Sequence, residues 1–404
     1  MIKRLFKTIG SKKFLSVCIL CAIGLYALLC FTHYFNQRPL WNDEACIFDN
    51  VKSLSTKEVF SVPLKSFQVF PRAYLFVIQK VSSPFGYHLL SLRFLSFVFM
   101  LLAFFAWQKI AKNEIKDIRE RFIFTLSWAA SGLLIYYSAE LKQYSLDVLV
   151  AAVYLLFLYN QDNIKHDKIR YVACLILLPF LGLFSYPSFM FMMIPLYNLV
   201  LDSKKDKDNV KFVFIYLASF IVVFLTSYFF DMRLRDTAVL TSGWGDYFVS
   251  FKSARAFLSS FGEGISNLFS RFFAEKPRYI KSVVRCFVVI GFVNLFHSFF
   301  TNIKREDYYL KSVKTIGFVL FIELFILGVL KKYPFTVPRT SLFFAPVVLY
   351  LTIDGIQKLK NINIYLYRII YFLYILFLIY MVVGLSRNIF LGDLGGMPTL
   401  WRQY

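Results

Sequence analysis

Acidic residues and long polar segments are scarce in this chain of 404 residues. Asp and Glu together number 24 against 46 Lys and Arg, and charged residues make up only 17% of the sequence. Hydrophobic residues make up 58%, with 49 Phe among them, and the polar stretches that remain are short. This composition excludes a single soluble core and indicates an integral membrane protein.

Several common ligand-binding motifs are also absent. The chain has no G-x-x-x-x-G-K-[ST] segment, no G-x-G-x-x-G after a strand and no H-E-x-x-H, and it contains only 4 histidines. Nucleotide-driven pumping is therefore not expected. The formal charge of +22 could suggest nucleic acid, but the basic residues lie in loops between apolar runs. We interpret them as signals of membrane topology and expect no nucleic-acid partner.

The 6 cysteines predict no disulfide framework. All except Cys46 lie in apolar segments that we expect to be buried in the membrane. Cys18 and Cys21 have the C-x-x-C spacing of metal and redox sites, but no His or acidic residue is near them in the sequence. Packing inside a helix is the favoured interpretation.

Apolar runs long enough to cross a bilayer recur along the whole chain. We predict transmembrane helices at roughly 14–35, 87–108, 121–137, 141–159, 169–184, 187–201, 212–230, 283–301, 312–330, 340–354 and 363–384. The first run is preceded by lysines and is too long for a cleavable signal, so we expect a retained anchor with a cytoplasmic N-terminus. The basic loops then all fall in the cytoplasm, at 109–121, 160–170, 202–211, 302–314 and 357–360.

The sequence thus predicts an all-α polytopic protein of the inner or plasma membrane, with about 11 transmembrane helices. Two long loops, 36–86 and 231–282, are predicted on the outer side. Within the first loop, 71–84 has only about a dozen apolar-leaning positions, so we expect an interfacial or re-entrant helix there. The chain then divides into a membrane core, 1–355, and a last transmembrane helix with an outer tail, 356–404.

The first outer loop begins with "FNQRPLWNDEACIFDN", which places Asp43 and Glu44 side by side after Trp41. Near the headgroups the dielectric constant falls, and a carboxylate can become a stronger base. Alternatively, Asn42 or Asp43 could cap a short helix with Glu44 in its first turn, where a negative charge is favourable. The two roles are compatible, and the spacing leaves both open.

A second polar cluster lies in "YYSAELKQYSLD". Four of its residues follow the spacing i, i+3, i+4, i+7, namely Glu140, Gln143, Tyr144 and Asp147. This spacing places them on one face of the predicted fourth helix, where polar groups contact protein or water instead of lipid. Lys142 would point away from that face, so either it reaches to the headgroups or the helix begins later. An interhelical hydrogen-bond cluster is the alternative to a substrate site.

A third cluster lies in "KKYPFTVPRTSLFFAP", where two prolines hold an extended outer turn and Arg339 precedes a helix. A permanently charged guanidinium beside an apolar wall suits a phosphate. Binding of lipid headgroups without specificity is the alternative.

Two other acidic features are interpreted as structural. Glu323 lies in the middle of the apolar segment "GFVLFIELFILG", where a charge is costly and needs a partner, such as Arg93 from another helix. Asp206 and Asp208 form a D-x-D pattern, but they alternate with lysines in a short loop. A solvated run of charges explains that pattern better than a metal site.

Taken in order, three motifs resemble those of the membrane glycosyltransferases with the GT-C fold, in particular the bacterial protein O-mannosyltransferase and aminoarabinose-transferase-like group. They are "LWNDEA", then "LRFLS" followed by "YYSAELKQY", then "YPFTVPRTSLFFAP". The resemblance covers the chain from about residue 14 to 355. In the family an Asp-Glu pair follows an aromatic residue in the first outer loop, and Asp43 and Glu44 match it. Lys142 stands where relatives have an arginine, which keeps the charge without the bidentate geometry.

The resemblance implies an inverting transferase that moves a sugar from an undecaprenyl-phosphate or other polyprenyl-phosphate donor to an acceptor hydroxyl on the periplasmic or extracytoplasmic face. The acceptor would be a glycan, a lipid or a protein. The implied catalytic residues are Asp43, as the base, and Glu44. The implied donor-phosphate ligands are Arg339 and Lys142. The implied substrate-orienting residues are Glu140, Tyr144, Tyr333 and Trp41. A divalent cation could bridge Asp43, Glu44 and Glu140, and no other cofactor is expected.

Two other functions fit parts of the sequence. An O-antigen-type polymerase or ligase also has many spans and a large outer loop, and here the pyrophosphate would be bound by Arg233, Arg235, Arg255, Arg271 and Arg278. That hypothesis leaves "LWNDEA" unexplained. A flippase or transporter of lipid-linked sugars would be expected to show internal repeats and polar residues at the middle of many helices. In this chain the polar groups gather on the predicted outer side.

Overall fold

The architecture comes from a computed structural model that describes residues 12–235, 243–270, 278–302, 309–335 and 337–391. The basic segment before Lys12 and the outer tail after Leu391 lie outside these ranges. The structure is 82% helix and contains no strand in the described ranges. The prediction of an all-α chain is therefore confirmed.

The helices follow the apolar runs closely. Each of the eleven predicted runs coincides with a helix. In chain order the helices are α1 (Lys12–Phe35), α2 (Asn42–Ser53), α3 (Thr56–Val59), α4 (Arg72–Ser82), α5 (Leu89–Glu114), α6 (Ile118–Ala130), α7 (Gly132–Tyr136), α8 (Tyr144–Lys165), α9 (Lys168–Phe180), α10 (Ser188–Lys205), α11 (Val210–Phe230), α12 (Ala254–Ser270), α13 (Arg278–Asn302), α14 (Val313–Val329), α15 (Ala345–Ile362) and α16 (Ile364–Phe390).

Among the described residues, 6 helices are long and apolar enough to cross a membrane. They are α1, α5, α8, α11 with its flanking turns, α15 with its first turn, and α16. Helices α6 and α7 form a bent pair, with 56° between them, that would make a seventh span. The protein is thus membrane-embedded, but the predicted count of about eleven crossings is not confirmed.

The shortfall has a physical basis in helix length and charge. Helix α9 has 13 residues with Pro179 in its last turn, so it is about 20 Å long and shorter than the hydrocarbon core of about 30 Å. Helix α14 has 17 residues. Helix α10 carries Asp202, Lys204 and Lys205 at its end, and charged side chains there shorten the apolar part.

The helices divide into a central and a peripheral group. In α8 and α15 the most apolar stretch is 72% and 78% buried, whereas in α11 and α16 it is 22% and 28% buried. Helix α8 packs against α5, α15 packs against α13, and α1 packs against α6. The peripheral helices expose large apolar side chains such as Phe214 and Val383, as expected of surfaces that face lipid. The turns that precede the two central helices carry Lys142 and Arg339, which are described below.

The predicted first outer loop, 36–86, folds into a compact layer of short helices. Gln79 of α4 donates hydrogen bonds to the carbonyls of Val51 and Leu54 at the end of α2. Arg72 donates to the carbonyls of Val59 and Val62 at 2.9 Å each. Helix α4 has 11 residues and is too short to cross a bilayer. This length agrees with the prediction that 71–84 does not span the membrane.

The described part of the predicted second outer loop is joined to the turn that carries Arg339. The Phe335 N–H donates to the Tyr247 carbonyl at 3.0 Å. A Cβ atom at Gly264 of α12 would overlap the Phe335 ring, so glycine is required for this close approach. The turn before α15 is therefore held from two sides.

Candidate functional site

The start of α2 leaves the Asp43 side chain available for other contacts. Trp41, with extended backbone, occupies the cap position of α2, and the Trp41 N–H donates to the Glu44 carboxylate at 3.4 Å. The indole of Trp41 has a donor but no acceptor, so no side chain caps the first turn from that position. The alternative prediction that Asn42 or Asp43 caps the helix is wrong, because both residues lie inside its first turn.

Asp43 meets two cations that come from distant parts of the chain. Its Oδ2 accepts a hydrogen bond from Arg339 Nη1 at 2.8 Å and lies 3.7 Å from Lys142 Nζ. The Asp43 side chain is 24% exposed, whereas the side chains of Arg339 and Lys142 are 9% and 6% exposed. A partly open carboxylate thus faces two nearly buried positive charges.

Lys142 lies in the turn that precedes α8. Helix α8 begins only at Tyr144, so the predicted alternative in which the helix begins later is the one found. Lys142 Nζ also donates to Gln68 Oε1 at 3.0 Å, which ties the first outer loop to this turn. Burial lowers the pKa of Lys142, although the nearby charge of Asp43 opposes that effect.

Arg339 is held between two indole rings. Its guanidinium carbon lies 5.7 Å from the centre of the Trp41 ring and 5.5 Å from the centre of the Trp244 ring, within the range of cation–π attraction. Arg339 Nε is buried and has no hydrogen-bond partner among the described residues. The hydroxyl of Tyr333 donates to the Thr340 carbonyl at 2.6 Å, so this predicted substrate-orienting residue holds the turn.

Trp244 was not identified from the sequence. It lies in the predicted second outer loop, and no motif surrounds it. The one sequence feature that could have indicated a role is a tryptophan in a loop predicted to face the outside. Its position beside Arg339 results from the attachment of that loop to the turn at Phe335.

Glu44 lies beside Asp43 in sequence but is fully enclosed, with 0% of its surface exposed. Arg93 donates to both of its oxygens at 2.8 Å, Arg38 donates at 2.8 Å, and the Leu141 N–H donates at 2.8 Å. Burial by itself would raise the pKa of Glu44, but the charges of Arg38 and Arg93 hold it below its usual value.

The predicted pairing of Arg93 with Glu323 is wrong, because Arg93 binds Glu44. Glu323 Oε2 is buried without a hydrogen-bond partner among the described residues.

Glu140 is the second enclosed carboxylate of the site. Its backbone is extended, so it precedes α8, and the prediction that it shares a helix face with Tyr144 is wrong. Trp41 Nε1 donates to Glu140 Oε1 at 2.7 Å, while Oε2 is buried without a partner among the described residues. Burial, followed by the charge of Glu44, raises the pKa of Glu140 to about 7.

Two further residues of the predicted cluster lie on α8 itself. Tyr144 is 7% exposed and makes an edge-on ring contact with Tyr137 at 5.0 Å. Asp147 is 2% exposed and accepts a hydrogen bond from the Ser185 hydroxyl at 2.6 Å. Asp147 thus joins α8 to the turn between α9 and α10. This contact resembles the interhelical hydrogen bonding that was the alternative to a substrate site.

The acidic residues of this site do not fit the suggested divalent cation. Glu44 is bound by two guanidinium groups and a backbone N–H, and Asp43 is bound by Arg339. A cation would have to displace these donors and would lie next to their positive charges. In the described part of the chain, no group of 3 or more His, Cys, Asp or Glu side chains converges.

The arginines of the second outer loop do not converge within the described residues. Arg235 pairs with Asp231 at 2.9 Å, and Arg233 and Arg255 are exposed. Arg271 lies outside the described residues, and so does the Arg278 side chain. The pyrophosphate cluster expected of a polymerase or ligase gains no support here.

The chain matches no protein-family model, and neither a curated protein nor a solved structure matches it. The resemblance to GT-C glycosyltransferases therefore rests on the three motifs. The structure adds that residues from those motifs, namely Asp43, Glu140, Lys142 and Arg339, lie at one site.

Proposed function

We propose that the protein is a membrane glycosyltransferase that moves a sugar from a polyprenyl-phosphate donor to an acceptor hydroxyl, with inversion and with Asp43 as the base. The proposal includes a GT-C arrangement of about eleven crossings in the cell membrane, with the N-terminus in the cytoplasm and the site on the outer side. An enzyme that uses such a donor needs a slot for the prenyl chain, cations that bind the phosphate and a base that accepts the proton of the acceptor hydroxyl.

One observation carries the proposal. Asp43 lies 2.8 Å from Arg339 Nη1 and 3.7 Å from Lys142 Nζ, and these residues are separated by almost 300 positions and almost 100 positions in the sequence. Asp43 is also the most exposed member of this group, with 24% of its side chain accessible. Such a transfer requires a base, cations that bind the phosphate, and access for the substrate.

In the proposed reaction the donor phosphate replaces the Asp43 carboxylate on Arg339 and Lys142. Phosphate is the stronger partner, because it can accept charge-assisted hydrogen bonds from both cations at once. The displacement leaves Asp43 beside the donor with its carboxylate free to accept a proton. The ion pair seen in the structure is then the resting state of the site.

The chemical step forms one bond and breaks one bond at the anomeric carbon. Asp43 accepts the proton of the acceptor hydroxyl while that oxygen attacks the anomeric carbon. The bond from this carbon to the phosphate oxygen breaks, and its electron pair leaves with the polyprenyl phosphate. Arg339 and Lys142 stabilise the charge that accumulates on the leaving phosphate.

The other two functions receive less support from the described residues. The arginines that a polymerase or ligase would use do not form a cluster among those residues. A flippase would be expected to have polar groups along a path through the bilayer, whereas Asp43, Glu140, Lys142 and Arg339 gather at one end of α8.

The test is transfer from a panel of radiolabelled undecaprenyl-phosphate sugars by the purified protein and by the Asp43→Asn variant. We expect the wild type to consume one donor and the variant to lose roughly 10²- to 10⁴-fold in turnover while still binding that donor. Asp49→Asn is the matched control, because Asp49 is on the same helix and 55% exposed, and within the described residues its one ion pair is with Lys65 at the surface.

Three outcomes would contradict the proposal. Full transfer by Asp43→Asn would remove Asp43 from the role of base. No consumption of any donor by the wild type would argue against a transferase. Movement of labelled lipid across vesicles by both proteins, without transfer of the sugar, would favour a transporter.

A further inference from the structure

A groove lies at the end of α8 opposite to Asp43. It is formed by α5, α8 and α9 and has a volume of about 510 Å³. Lys142 and Tyr144 mark the beginning of α8, whereas Asn163 in the groove lies near its end. From Tyr144 to Asn163 an α-helix rises about 28 Å, close to the thickness of the hydrocarbon core. The groove and the Asp43 site therefore lie on opposite sides of the membrane region.

The deeper wall of the groove is apolar and has the length of one lipid leaflet. It is lined by Leu156 and Phe157 of α8, by Leu178 near the end of α9 and by Leu181 in the turn after it. The lining residues extend over 153–164 on α8 and 170–181 on α9 and the turn after it, about 16 Å at the helical rise. That is about half of the hydrocarbon core of a bilayer. Leu177 is 64% exposed at the side, so the groove opens towards lipid.

The shallow end of the groove carries positive charge and amides. Lys109 of α5 and Arg170 of α9 line it together with Asn160 and Asn163. Among the described residues, neither the Lys109 ammonium nor the Arg170 guanidinium forms an ion pair with a carboxylate. Arg170 has Asp167 nearby, but that carboxylate accepts the backbone N–H of Arg170 and caps α9.

Two other acids at this end are already paired. Asp162 pairs with Lys311 at 2.6 Å, and Asp202 pairs with Lys165. The groove therefore keeps two cationic donors for an external anion, directly above an apolar wall. A phosphate diester with an attached acyl chain matches both parts.

From this geometry we infer that the Lys109–Arg170 groove is a binding site for an anionic glycerophospholipid of the leaflet on the side of the basic loops. The lipid phosphate lies between Lys109 and Arg170, and one acyl chain lies along α8 and α9. The inference does not rest on the proposed function, because the charged end of the groove is about a membrane thickness away from the Asp43 site.

Cys174 offers a direct test, since it lines this groove and its thiol is free. The rate at which a membrane-permeable maleimide modifies Cys174 is measured by peptide mass spectrometry on the purified full-length protein in mixed micelles. Phosphatidylglycerol at roughly ten times its dissociation constant should slow the reaction about tenfold, because only the unoccupied fraction reacts. Cys21, exposed on α1, is the internal reference and should react at an unchanged rate.

Two double variants separate the site from a general charge effect. Lys109→Gln with Arg170→Gln should lose the protection of Cys174. Lys112→Gln with Lys168→Gln removes the same charge from the same two helices at exposed positions outside the groove, and it should keep the protection.

Several results would overturn the inference. They are an unchanged rate at Cys174, equal protection by zwitterionic phosphatidylcholine, or equal loss of protection in both double variants. Stronger protection by undecaprenyl phosphate than by phosphatidylglycerol would assign the groove to a different lipid. None of these readouts depends on sugar transfer, so a failure here is distinguishable from a failure of the proposed reaction.

Discussion

Asp43 and Glu44 are neighbours in the sequence, and each carboxylate is paired with two cations, yet the two pairs differ in access. The Glu44 side chain, bound by Arg38 and Arg93, is 0% exposed, whereas the Asp43 side chain is 24% exposed. Glu44 also accepts a backbone N–H, so its hydrogen-bonding capacity is used. Asp43 keeps capacity for a further partner.

The comparison suggests how one dipeptide supports two roles. A buried carboxylate that is saturated by arginines fixes the loop, because removal of either partner leaves a charge without compensation. A partly exposed carboxylate beside two cations can be exchanged for another anion. We therefore expect substitutions at Glu44 to affect folding and substitutions around Asp43 to affect turnover.

The largest effect is expected for Glu44→Gln. It leaves Arg38 and Arg93 buried without a counter-charge, so we expect a loss of about 3–5 kcal/mol in stability. Thermal unfolding of the wild type and the variant in detergent measures this difference in stability. Because the pKa of Glu44 is held below its usual value, its contribution is present above the unfolded-state pKa and is lost as the pH falls through the folded-state pKa. Asp49→Asn on the same helix is the control, with an expected change below about 1 kcal/mol.

The next largest effect is expected on the rate of transfer, for substitutions of Arg339, the partner of the accessible Asp43. The two variants are Arg339→Ala and Arg339→Lys. Loss of a contact to the leaving phosphate should raise the barrier by about 3 kcal/mol, or about a hundredfold in kcat/KM for the donor. Lysine keeps the charge but not the forked geometry, so it should recover only part of the loss. Arg233→Lys, at an exposed position of the second outer loop, should leave the rate unchanged. Equal rates in all three variants would remove Arg339 from phosphate binding.

A smaller effect is expected for Glu140→Gln, as a change in pH dependence. Burial and Glu44 raise the pKa of Glu140 from 4.5 to about 7, so the folded protein keeps this proton over a range in which the unfolded chain loses it. The free energy of unfolding of the wild type should therefore fall as the pH rises from about 4.5 to 7, by up to about 1.4 kcal/mol for each pH unit. The variant should lack this part of the decline. An identical decline in both proteins would contradict the assignment.

The smallest effect is expected for Glu323→Leu. Within the described part of the chain, the Glu323 carboxylate forms no ion pair, unlike Asp43 and Glu44. Glu323 Oε2 is buried without a hydrogen-bond partner among the described residues of this apolar helix. Its replacement by leucine should raise the unfolding temperature, with a gain of about 1 kcal/mol from the avoided burial of a polar group. The isosteric Glu323→Gln variant should gain less. A decrease in both variants would indicate a partner for Glu323 that these residues do not include.

The sequence predicted the helical positions better than the side-chain pairs. Each apolar run became a helix because a long apolar segment in a membrane must satisfy its own backbone hydrogen bonds. The helix-face prediction failed at Glu140 because α8 begins four residues later, at Tyr144, and periodicity alone does not locate a helix start within a few residues. The pairing of Arg93 with Glu44 could not be read from spacing, because the two residues come from different elements.

The sequence by itself determined that this is a helical membrane protein, and it marked Asp43, Lys142 and Arg339 as residues of interest. Composition and apolar run length set those outcomes, since they depend on local chemistry. Only the tertiary structure decided that Glu44 is enclosed while its neighbour stays accessible, and that Trp244 lies against Arg339. Those outcomes depend on which distant segments pack together, and burial and charge pairing are properties of that packing.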